Sequence, residues 1–449
     1  MRGSIQPPQN GLLGSETVVL LLYNIFIAAG MALGGIFLFP LVLLSEKRRR
    51  TVLKRFGLGS VSKSRRGKGL NARPLWVHAL SVGEVNAAIP LIKGLKRRFF
   101  DRDIVFSAST LSGFETAQRL AGRYARSLFF FPYDIRPSVS SIIEKVDPAL
   151  VVLIETDLWP NFLQIMKQKN VPVILSNARI SRRSHKRYMR FLPLVKGMFG
   201  ALTFICASSL EDAERFVMLG IPRDRIDITG NLKYDKSYKP CLESEMNDLR
   251  KSMGIGPYSK VLVAGSTHKG EEEIIFRAFT GIKGKIADSR LVIAPRRPDR
   301  SLQILHALEQ NRFSVSLVEK KEPNVKPEEI DVWVVNAMGI LERMYDIADV
   351  VFIGGSLVKE GGHNPLEPAA RSKPILFGPD MSDFEEAARM LLHAGGAFRV
   401  FHDESLSNET VRLFLNQSLA AECGKNGYRV YCSGKGAVDK TLKILERYI

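Results

Sequence analysis

Short apolar runs alternate with segments of helical period along the chain from residue 74 onward. This alternation predicts the strands of parallel sheets, joined by right-handed helical crossovers. The first set of predicted strands is Leu75–Ala79, Ile104–Ala108, Leu150–Ile154, Val171–Leu175 and Thr203–Ala207. The second set is Lys260–Gly265, Leu291–Pro295, Val332–Val335, Val350–Gly354 and Pro374–Phe377.

A polar stretch from Asp235 to Tyr258 separates the two sets and is predicted to be a helix-poor linker that carries a hinge. We therefore predict an α/β fold of two doubly wound, Rossmann-like domains that face a cleft. They cover residues 47–240 and 241–449, behind an N-terminal segment at residues 1–46. In such sheets ligands bind at the carboxyl ends of the strands, so the residues that follow each strand are the candidates for chemistry.

The N-terminal segment has the composition of a membrane anchor. No charged residue occurs from Thr17 to Ser45, and a helix needs roughly 20 apolar residues to cross the hydrocarbon core of a bilayer. The positive cluster Lys47–Arg50 follows this segment, which predicts a cytoplasmic location for the rest of the chain. We expect a single-pass anchor in residues 1–46. Three glycines and Pro40 interrupt the segment, so a monotopic hairpin is the alternative.

Composition narrows the choice of partner more than the choice of fold. The chain has 65 Lys and Arg against 46 Asp and Glu, a net charge of +19. Such a balance favours a nucleic acid, an anionic membrane surface or a phosphorylated substrate. The 4 cysteines lack CxxC or zinc-finger spacing and are interpreted as free thiols. Neither an HExxH nor an EF-hand motif occurs, so we predict neither a metal site nor a cofactor.

Two acidic residues follow predicted strands in the first half. Glu84 lies three positions after Ser81, which is the spacing of a helix capping box. A carboxylate at the end of a strand also suits a general base, and the spacing leaves both roles open. Glu155 directly follows the strand that ends at Ile154. It is either a solvated loop carboxylate or part of the site.

Further along the first half, Pro160 is predicted at the first position of a helix, with Thr156 or Asp157 as its cap. Lys233 is either an exposed linker lysine or a cationic stabiliser that faces the cleft. A helical arrangement would place a group of basic residues on one face, which suits a phosphorylated lipid; they are Arg179, Arg182, Arg183, Lys186 and Arg190.

The loop after Val350–Gly354 is the most informative in the second half. Its paired glycines allow a ligand close to the backbone. The helix predicted to follow offers backbone amides and a positive dipole end to a phosphate. Glu367, in the first turn of that helix, suits hydrogen bonds from ribose hydroxyls.

At these residues the chain resembles the 3-deoxy-D-manno-octulosonic acid (Kdo) transferases, from about residue 40 onward. Six stretches in order, all at predicted strand exits, carry the resemblance. They are His78–Glu84, Glu155–Asn161, Asn177–Arg179, Gly230–Lys233, Gly265–His268 and Gly361–Pro368.

The resemblance implies a GT-B glycosyltransferase with an acceptor-side first domain and a nucleotide-sugar-binding second domain. It implies CMP-Kdo as donor and a lipid A precursor, lipid IVA, as acceptor in lipopolysaccharide core biosynthesis. The general base of an inverting displacement falls on Glu84, and two transition-state stabilisers fall on Glu155 and Lys233. The CMP contacts fall on Pro295, Arg296, Met338, Gly339, Ile340, Asn364, Pro365, Leu366 and Glu367.

The chain departs from the family pattern at two of these places. Ile340 stands where the family usually has a glutamate after methionine and glycine, and Arg297 stands where a histidine usually follows the proline-arginine pair. These differences concern side-chain roles, whereas backbone contacts would be retained.

Taken together, these features predict an enzyme at the cytoplasmic face of the cell inner membrane. Its expected partners are CMP-Kdo, a phosphorylated lipid A precursor and the anionic membrane surface, and no nucleic acid is expected. One alternative is a GT-B enzyme that transfers a UDP-sugar to a lipid. The other is a basic protein without enzymatic activity that binds membranes or nucleic acids.

Overall fold

A computed structural model describes residues 20–31, 44–45, 51–58, 72–156, 158–238, 241–318, 330–337 and 339–449. The chain divides into two compact units. The first comprises Met1–Lys236 together with Lys435–Ile449, and the second comprises Ser237–Gly434. Each unit contains its own parallel sheet.

The first unit is built on a sheet whose strands, among the described residues, run in the order β3-β2-β1-β4-β5-β6-β7 with parallel pairing throughout. The strands are β1 Leu75–Ala79, β2 Ile104–Ala108, β3 Ser127–Phe130, β4 Leu150–Ile154, β5 Val173–Ala178, β6 Phe204–Ala207 and β7 Ile226–Ile228. The helices are α1 Val82–Arg98, α2 Leu111–Ala121, α3 Arg136–Val146, α4 Pro160–Gln168, α5 Arg182–Arg190, α6 Leu192–Gly200 and α7 Leu210–Met218. The order of winding reverses between β1 and β4, which is therefore the topological switch point of this sheet.

The second unit has a sheet in the order β10-β11-β9-β8-β12-β13-β14, again parallel in the described pairs. Its strands are β8 Lys260–Thr267, β9 Ser289–Pro295, β10 Val315–Val318, β11 Val332–Val335, β12 Val350–Ile353, β13 Ile375–Phe377 and β14 Ala397–Arg399. The helices are α8 Glu243–Ser252, α9 Glu272–Lys285, α10 Ser301–Gln310, α11 Leu341–Ile347, α12 Leu366–Ala369, α13 Glu385–His393, α14 Asp403–Leu415 and α15 Gln417–Ser433. The switch point of this sheet lies between β8 and β12.

The core of the first unit lies on both faces of its sheet. Successive side chains of a strand point to opposite faces, so Leu75 and Val77 pack into one apolar cluster while Trp76 packs into the other. Trp76 contacts the rings of Phe129 and Phe162, with ring centroids 5.3 and 5.2 Å away. Burial on both faces explains why the central strands are predominantly apolar.

The C-terminal helix, α16 Ala437–Leu445, belongs to the first unit, so the predicted domain at residues 241–449 is wrong over its last part. Val438 and Leu442 pack into the first unit's core. A Cβ on Gly94 of α1 would come within 2.9 Å of both side chains, so a glycine permits this close approach. The carboxylate of Asp235 accepts the N–H groups of Gly436 and Val438 at 2.7 and 2.6 Å and thus caps the helix.

The stretch from Asp235 to Tyr258 is not the helix-poor linker that its composition predicts, because it contains α8. Arg250 near the end of this helix donates to the carbonyls of Ile347, Gly256 and Ser259 at 2.7–3.1 Å. These bonds hold α8 to the second unit. The helix has no fully buried residue, so its sequence lacks the apolar stripe by which a helix is usually recognised.

Most of the predicted anchor at residues 1–46 lies outside the described residues. Within it, residues 20–31 are helical. The Tyr23 hydroxyl donates to a carboxylate oxygen of Asp134 at 2.9 Å, and the amides of Asn24 and Asn161 bond to each other at 2.8 and 3.1 Å. In the parts of the chain that the structure describes, no helix has both the length and the apolar character needed to cross a membrane.

The cap at Asp235 provides a test of how α16 is held. We expect Asp235→Ala to remove about 1 kcal/mol of capping stabilisation. Amide hydrogens in Ala437–Leu445 should then exchange about fivefold faster in the full chain, as hydrogen exchange with mass spectrometry would show. Asp439→Ala is the matched control, because Asp439 lies in the first turn of the same helix but is exposed. Equal acceleration in both variants would contradict this role of Asp235.

Candidate functional site

Glu84 lies in the first turn of α1, just beyond the carboxyl end of β1. Its carboxylate accepts the backbone N–H of Leu80 at 2.6 Å, and the Ser81 hydroxyl lies 3.4 Å from the other oxygen. The side chain is 9% exposed. Ser81 is the N-cap residue, but its side chain makes no cap hydrogen bond, and Glu84 bonds to the amide one position before it, so the predicted capping box is not formed. The two contacts nevertheless hold this carboxylate in a defined position at the strand end.

Glu155 and Lys233 form an ion pair in the first unit. Lys233 Nζ lies 3.3 Å from Glu155 Oε1, with side-chain exposures of 17% and 25%. Glu155 directly follows β4, and Lys233 lies on a 3-10 turn, Leu232–Asp235, after β7. The structure thus brings together two residues that are 78 positions apart in sequence numbering, and both side chains remain partly accessible.

Asn177 connects the two members of this pair, and sequence reasoning gave it no role. Its side-chain carbonyl accepts the N–H of Leu232 at 3.0 Å, and its amide lies 3.5 Å from Glu155 Oε1. Asn177 is fully buried and has a left-handed backbone, with φ of 56°. It occupies an irregularity of register between β5 and β6. Asparagine is among the residues that tolerate this conformation best. The residue type was therefore the signal in the sequence that position 177 has an unusual backbone.

The helix that begins at Pro160 is confirmed, and its N-cap residue is Trp159 rather than Thr156. Thr156 instead accepts the N–H of Arg179 and donates to the carbonyl of the same residue. Asp157 lies outside the described residues. The carboxylate of Asp134 accepts the N–H groups of Asn161 and Phe162, both at 2.9 Å. Burial raises the pKa of Asp134 although these bonds oppose the shift.

In the second unit, the buried carboxylate of Glu271 organises the switch point. It accepts the N–H of His268 at 3.0 Å after β8, and the N–H groups of three residues after β12. These are Gly355 at 2.6 Å, Ser356 at 3.0 Å and Leu357 at 2.9 Å. Burial raises the pKa of Glu271, and the four backbone bonds oppose that shift. Glu271 was missed because it resembles an ordinary acidic residue at the start of a helix.

Two histidines meet at the same switch point. The Nε2 atoms of His268 and His363 are 2.8 Å apart, and the rings are stacked at 5.1 Å with an interplanar angle of 17°. Burial lowers the pKa of His363 to about 4 and also lowers that of His268. Both residues lie in stretches that carry the family resemblance, but the sequence indicated no role for either of them.

The predicted nucleotide contacts occupy several strand exits of this unit. Pro295 ends β9 and is buried, whereas Arg296 is exposed and its N–H bonds to the Thr267 carbonyl at 3.0 Å. Gly339 has φ of 87°, and Ile340 is the N-cap residue of α11. Met338 lies outside the described residues.

The remaining predicted contacts surround the short helix α12. Asn364 accepts the N–H of Leu366 at 3.1 Å, and its side-chain amide lies 3.4 Å from Glu367. Pro365 is the N-cap residue. Because α12 is a single turn and the N–H of Leu366 is bonded to Asn364, this helix offers a phosphate a smaller dipole and fewer open amides than the sequence led us to expect, since a macrodipole is a sum over aligned peptides.

Among the residues that the structure describes, no group of three or more His, Cys, Asp or Glu is arranged to hold a metal ion.

Comparison with known proteins gives consistent results. Residues 50–236 match the family model described as 3-deoxy-D-manno-octulosonic-acid transferase (kdotransferase). The chain is 32% identical over 408 residues to a 3-deoxy-D-manno-octulosonic acid transferase of Haemophilus influenzae, covering 90% of this chain and 93% of that protein. It is 30% identical over 375 residues to the transferase of the same description from Chlamydia muridarum, covering 82% and 84%.

A solved structure extends this likeness to the fold. The UDP-GlcNAc 2-epimerase from Neisseria meningitidis, bound to UDP-GlcNAc, aligns with a TM-score of 0.57 at 13% identity. The alignment covers 84% of this chain and 100% of that chain. At this identity the likeness concerns the fold alone. The two parallel-sheet α/β units resemble those of GT-B glycosyltransferases.

The buried bond between Asn177 and Leu232 leads to a stability prediction. We expect Asn177→Ala to lower the free energy of unfolding by about 1–3 kcal/mol, because it leaves the Leu232 N–H buried without its acceptor. The measurement is the thermal unfolding midpoint of the full chain.

The matched control for this change is Asn170→Ala, since Asn170 also has a left-handed backbone, with φ of 53°, but is exposed after a helix. If the two variants shifted the midpoint equally, backbone strain rather than the hydrogen bond would explain the loss.

Proposed function

The chain belongs to the 3-deoxy-D-manno-octulosonic acid (Kdo) transferase family, and from this premise we propose that it moves Kdo from CMP-Kdo onto lipid IVA. It is a glycosyltransferase, and transfer of Kdo in lipopolysaccharide biosynthesis follows from its relatives. The proposal concerns the nucleotide donor, the lipid acceptor and the residues that act on them. One observation carries it: Glu84, Glu155 and Lys233, singled out by sequence, lie at carboxyl ends of strands in one sheet.

In the proposed mechanism, an acceptor hydroxyl attacks the anomeric carbon of Kdo as CMP leaves, and this single displacement inverts the centre. Glu84 takes the proton of the attacking hydroxyl. Its contact with the Leu80 N–H fixes the position of the carboxylate. An ionised carboxylate offers about four lone-pair positions, so its bonds to the Leu80 N–H and the Ser81 hydroxyl are compatible with proton uptake.

Glu155 and Lys233 supply fixed charges near the reacting sugar. The transition state of glycosyl transfer has oxocarbenium character, so a carboxylate close to the ring stabilises the developing positive charge. The ion pair at 3.3 Å holds both groups without solvent reorganisation during the reaction. Asn177 is a positioning residue, because it bonds to the turn that carries Lys233.

The second unit is the proposed donor-binding unit. Pro295 and Arg296 follow β9, Gly339 and Ile340 precede α11, and the stretch Asn364–Glu367 surrounds α12. Met338 completes the set proposed from the sequence. The left-handed backbone of Gly339 supports close approach of a ligand to the chain.

We further propose that the protein works at the cytoplasmic side of the cell inner membrane, attached through its uncharged segment Thr17–Ser45. Support comes from the basic cluster Lys47–Arg50 and from the exposed apolar side chains Leu21, Ile25 and Phe26. The acceptor's phosphates are proposed to lie against helix α5. This helix has no buried residue and carries a run of basic side chains, namely Arg182, Arg183, Lys186, Arg187 and Arg190.

The donor and acceptor are tested by incubating the detergent-solubilised full chain with CMP-Kdo and lipid IVA and determining product mass. We expect products heavier by whole Kdo units, with inhibition by CMP and little inhibition by UDP. A UDP-sugar as the accepted donor, or the absence of any Kdo addition, would reject this part of the proposal.

Glu84 has its own prediction. Replacing Glu84 with alanine should lower kcat by at least about hundredfold, the usual contribution of a general base, while CMP binding is retained. Glu144→Ala, at an exposed carboxylate of the same unit, should leave kcat unchanged. Near-normal turnover by the Glu84→Ala enzyme, measured with saturating substrates, would refute the assignment.

The ion pair predicts non-additive kinetics. We expect Glu155→Gln and Lys233→Met each to lower kcat by about hundredfold, and the double variant to be hardly worse than either, because contacting residues couple. The control is the exposed pair Arg73 and Asp147, 3.0 Å apart in the same unit, whose replacement should not alter kcat. Fully additive losses in the first cycle would show that the two residues act independently.

A further inference from the structure

The two histidines of the second unit occupy the place where an open parallel sheet binds its ligand. His268 directly follows β8, and His363 lies in the loop after the neighbouring strand β12. Between these strands the chain winds away in opposite directions, which opens a crevice at their carboxyl ends. The proposed function places the donor nucleotide in this unit but gives neither histidine a role.

The contact between the rings restricts their protonation. With the Nε2 atoms 2.8 Å apart, one nitrogen must donate and the other must accept. The pair can therefore carry no more than one positive charge while this bond exists. Burial lowers the pKa of both rings, that of His363 to about 4, so both are neutral near pH 7.

Charged groups of several neighbouring elements act on the pair. Arg296 after β9 disfavours protonation of both rings, and Arg300 disfavours that of His268. Glu360, 3.8 Å from His268 Nδ1, and Glu272 favour protonation of His268. The carboxylates of Asp380 and Asp383 lie against the glycine turn that precedes His363.

The backbone amides of this switch point are already bonded inside the protein. Glu271 accepts the N–H groups of His268, Gly355, Ser356 and Leu357. In many nucleotide-binding loops such amides bind the phosphate. Here an internal carboxylate occupies these four amides, which directs attention to the side chains for recognition of a phosphate. The side chains of Arg296, His268 and His363 lie at this place and can offer a phosphate positive charge and hydrogen-bond donors.

We propose that His268, His363 and Arg296 together bind the phosphate of the nucleotide donor, and that phosphate binding adds one proton to the histidine pair. The proposal rests on the proposed function, because the phosphate is that of a nucleotide sugar. A phosphate oxygen offers the histidine N–H groups an anionic acceptor and offsets the charge of Arg296. The added proton then lies beside the oxygen that gains negative charge when the bond to the sugar breaks, with the bonding electrons staying on the phosphate.

The linkage has a definite sign. Phosphate binding raises the affinity of the pair for a proton, so the proton raises the affinity for phosphate in return. Affinity is therefore highest at low pH and weakens as the pH rises from about 6 to 8, through the range in which a phosphate-bound imidazolium loses its proton.

The test is calorimetric titration of the full chain with two probes, cytidine and the methyl ester of CMP. The methyl ester is a phosphodiester, so it carries a fixed charge and does not itself titrate near neutral pH. Heats measured at pH 6 in two buffers of different ionisation enthalpy give the number of protons taken up. We expect about one proton per bound diester and none per bound cytidine.

Three variants complete the experiment. His268→Gln and His363→Gln should each weaken diester binding by about tenfold to hundredfold, the range for hydrogen bonds to charged groups. Both should abolish proton uptake and flatten the pH dependence. His306→Gln is the matched control, because His306 is an exposed histidine of the same unit, paired with Glu309 at 3.3 Å. It should behave as the wild type. Retained cytidine binding shows that the histidine variants are folded.

The outcomes separate this inference from the proposed function. Unchanged diester affinity and proton uptake in both histidine variants would overturn the inference and leave the Kdo donor intact. Histidine-dependent proton uptake with the methyl ester of UDP but not with that of CMP would support the phosphate site and reject the cytidine donor. If neither diester bound to the wild type, both would fail.

Discussion

The structure depends on one constraint: a parallel strand covered on both faces can present a polar side chain to a ligand only at its ends. Every residue of β1 and β4 is buried. Chemistry is therefore confined to the strand exits, and it concentrates at the switch points, where successive crossovers diverge. Glu84 and Glu155 flank the switch point of the first unit. His268 and His363 flank that of the second.

The same constraint explains how much of the fold could be predicted. Short, predominantly apolar runs predicted the exact bounds of β1, β2, β4 and β11. The strands that were missed, β3, β7, β10 and β14, are the edges of the two sheets. An edge strand is short and has one open side, so it needs no continuous apolar run. The position of α16 was wrong for a different reason: its apolar face was visible in the sequence, whereas its bond to Asp235 spans 201 positions.

The residues of the candidate site likewise differ in whether the sequence could predict them. Attention to strand exits selected Glu84, Glu155 and Lys233, and the resemblance gave them roles. The contacts that organise the two sites are tertiary contacts, which leave no local pattern in the sequence. Asn177 bonds to a turn 55 positions away. Glu271 accepts hydrogen bonds from the backbone of a loop more than 80 positions away. Both use a side chain to satisfy buried backbone groups, which folding requires but spacing does not reveal.

Backbone strain offers an independent view of these sites. The structure describes several non-glycine residues with positive φ, and they fall into two groups. Asp147, Asn170, Arg312 and Ser372 lie at or within two residues of a helix C-cap, where this conformation is common.

Glu155, Asn177 and Ser266 instead lie at the carboxyl ends of β4, β5 and β8, and the last two coincide with irregularities of register. Strain of this kind costs about 1–3 kcal/mol and persists only where the surroundings enforce it. In both units this strain lies at strand exits, on or within a few residues of the side chains that are proposed to carry the chemistry.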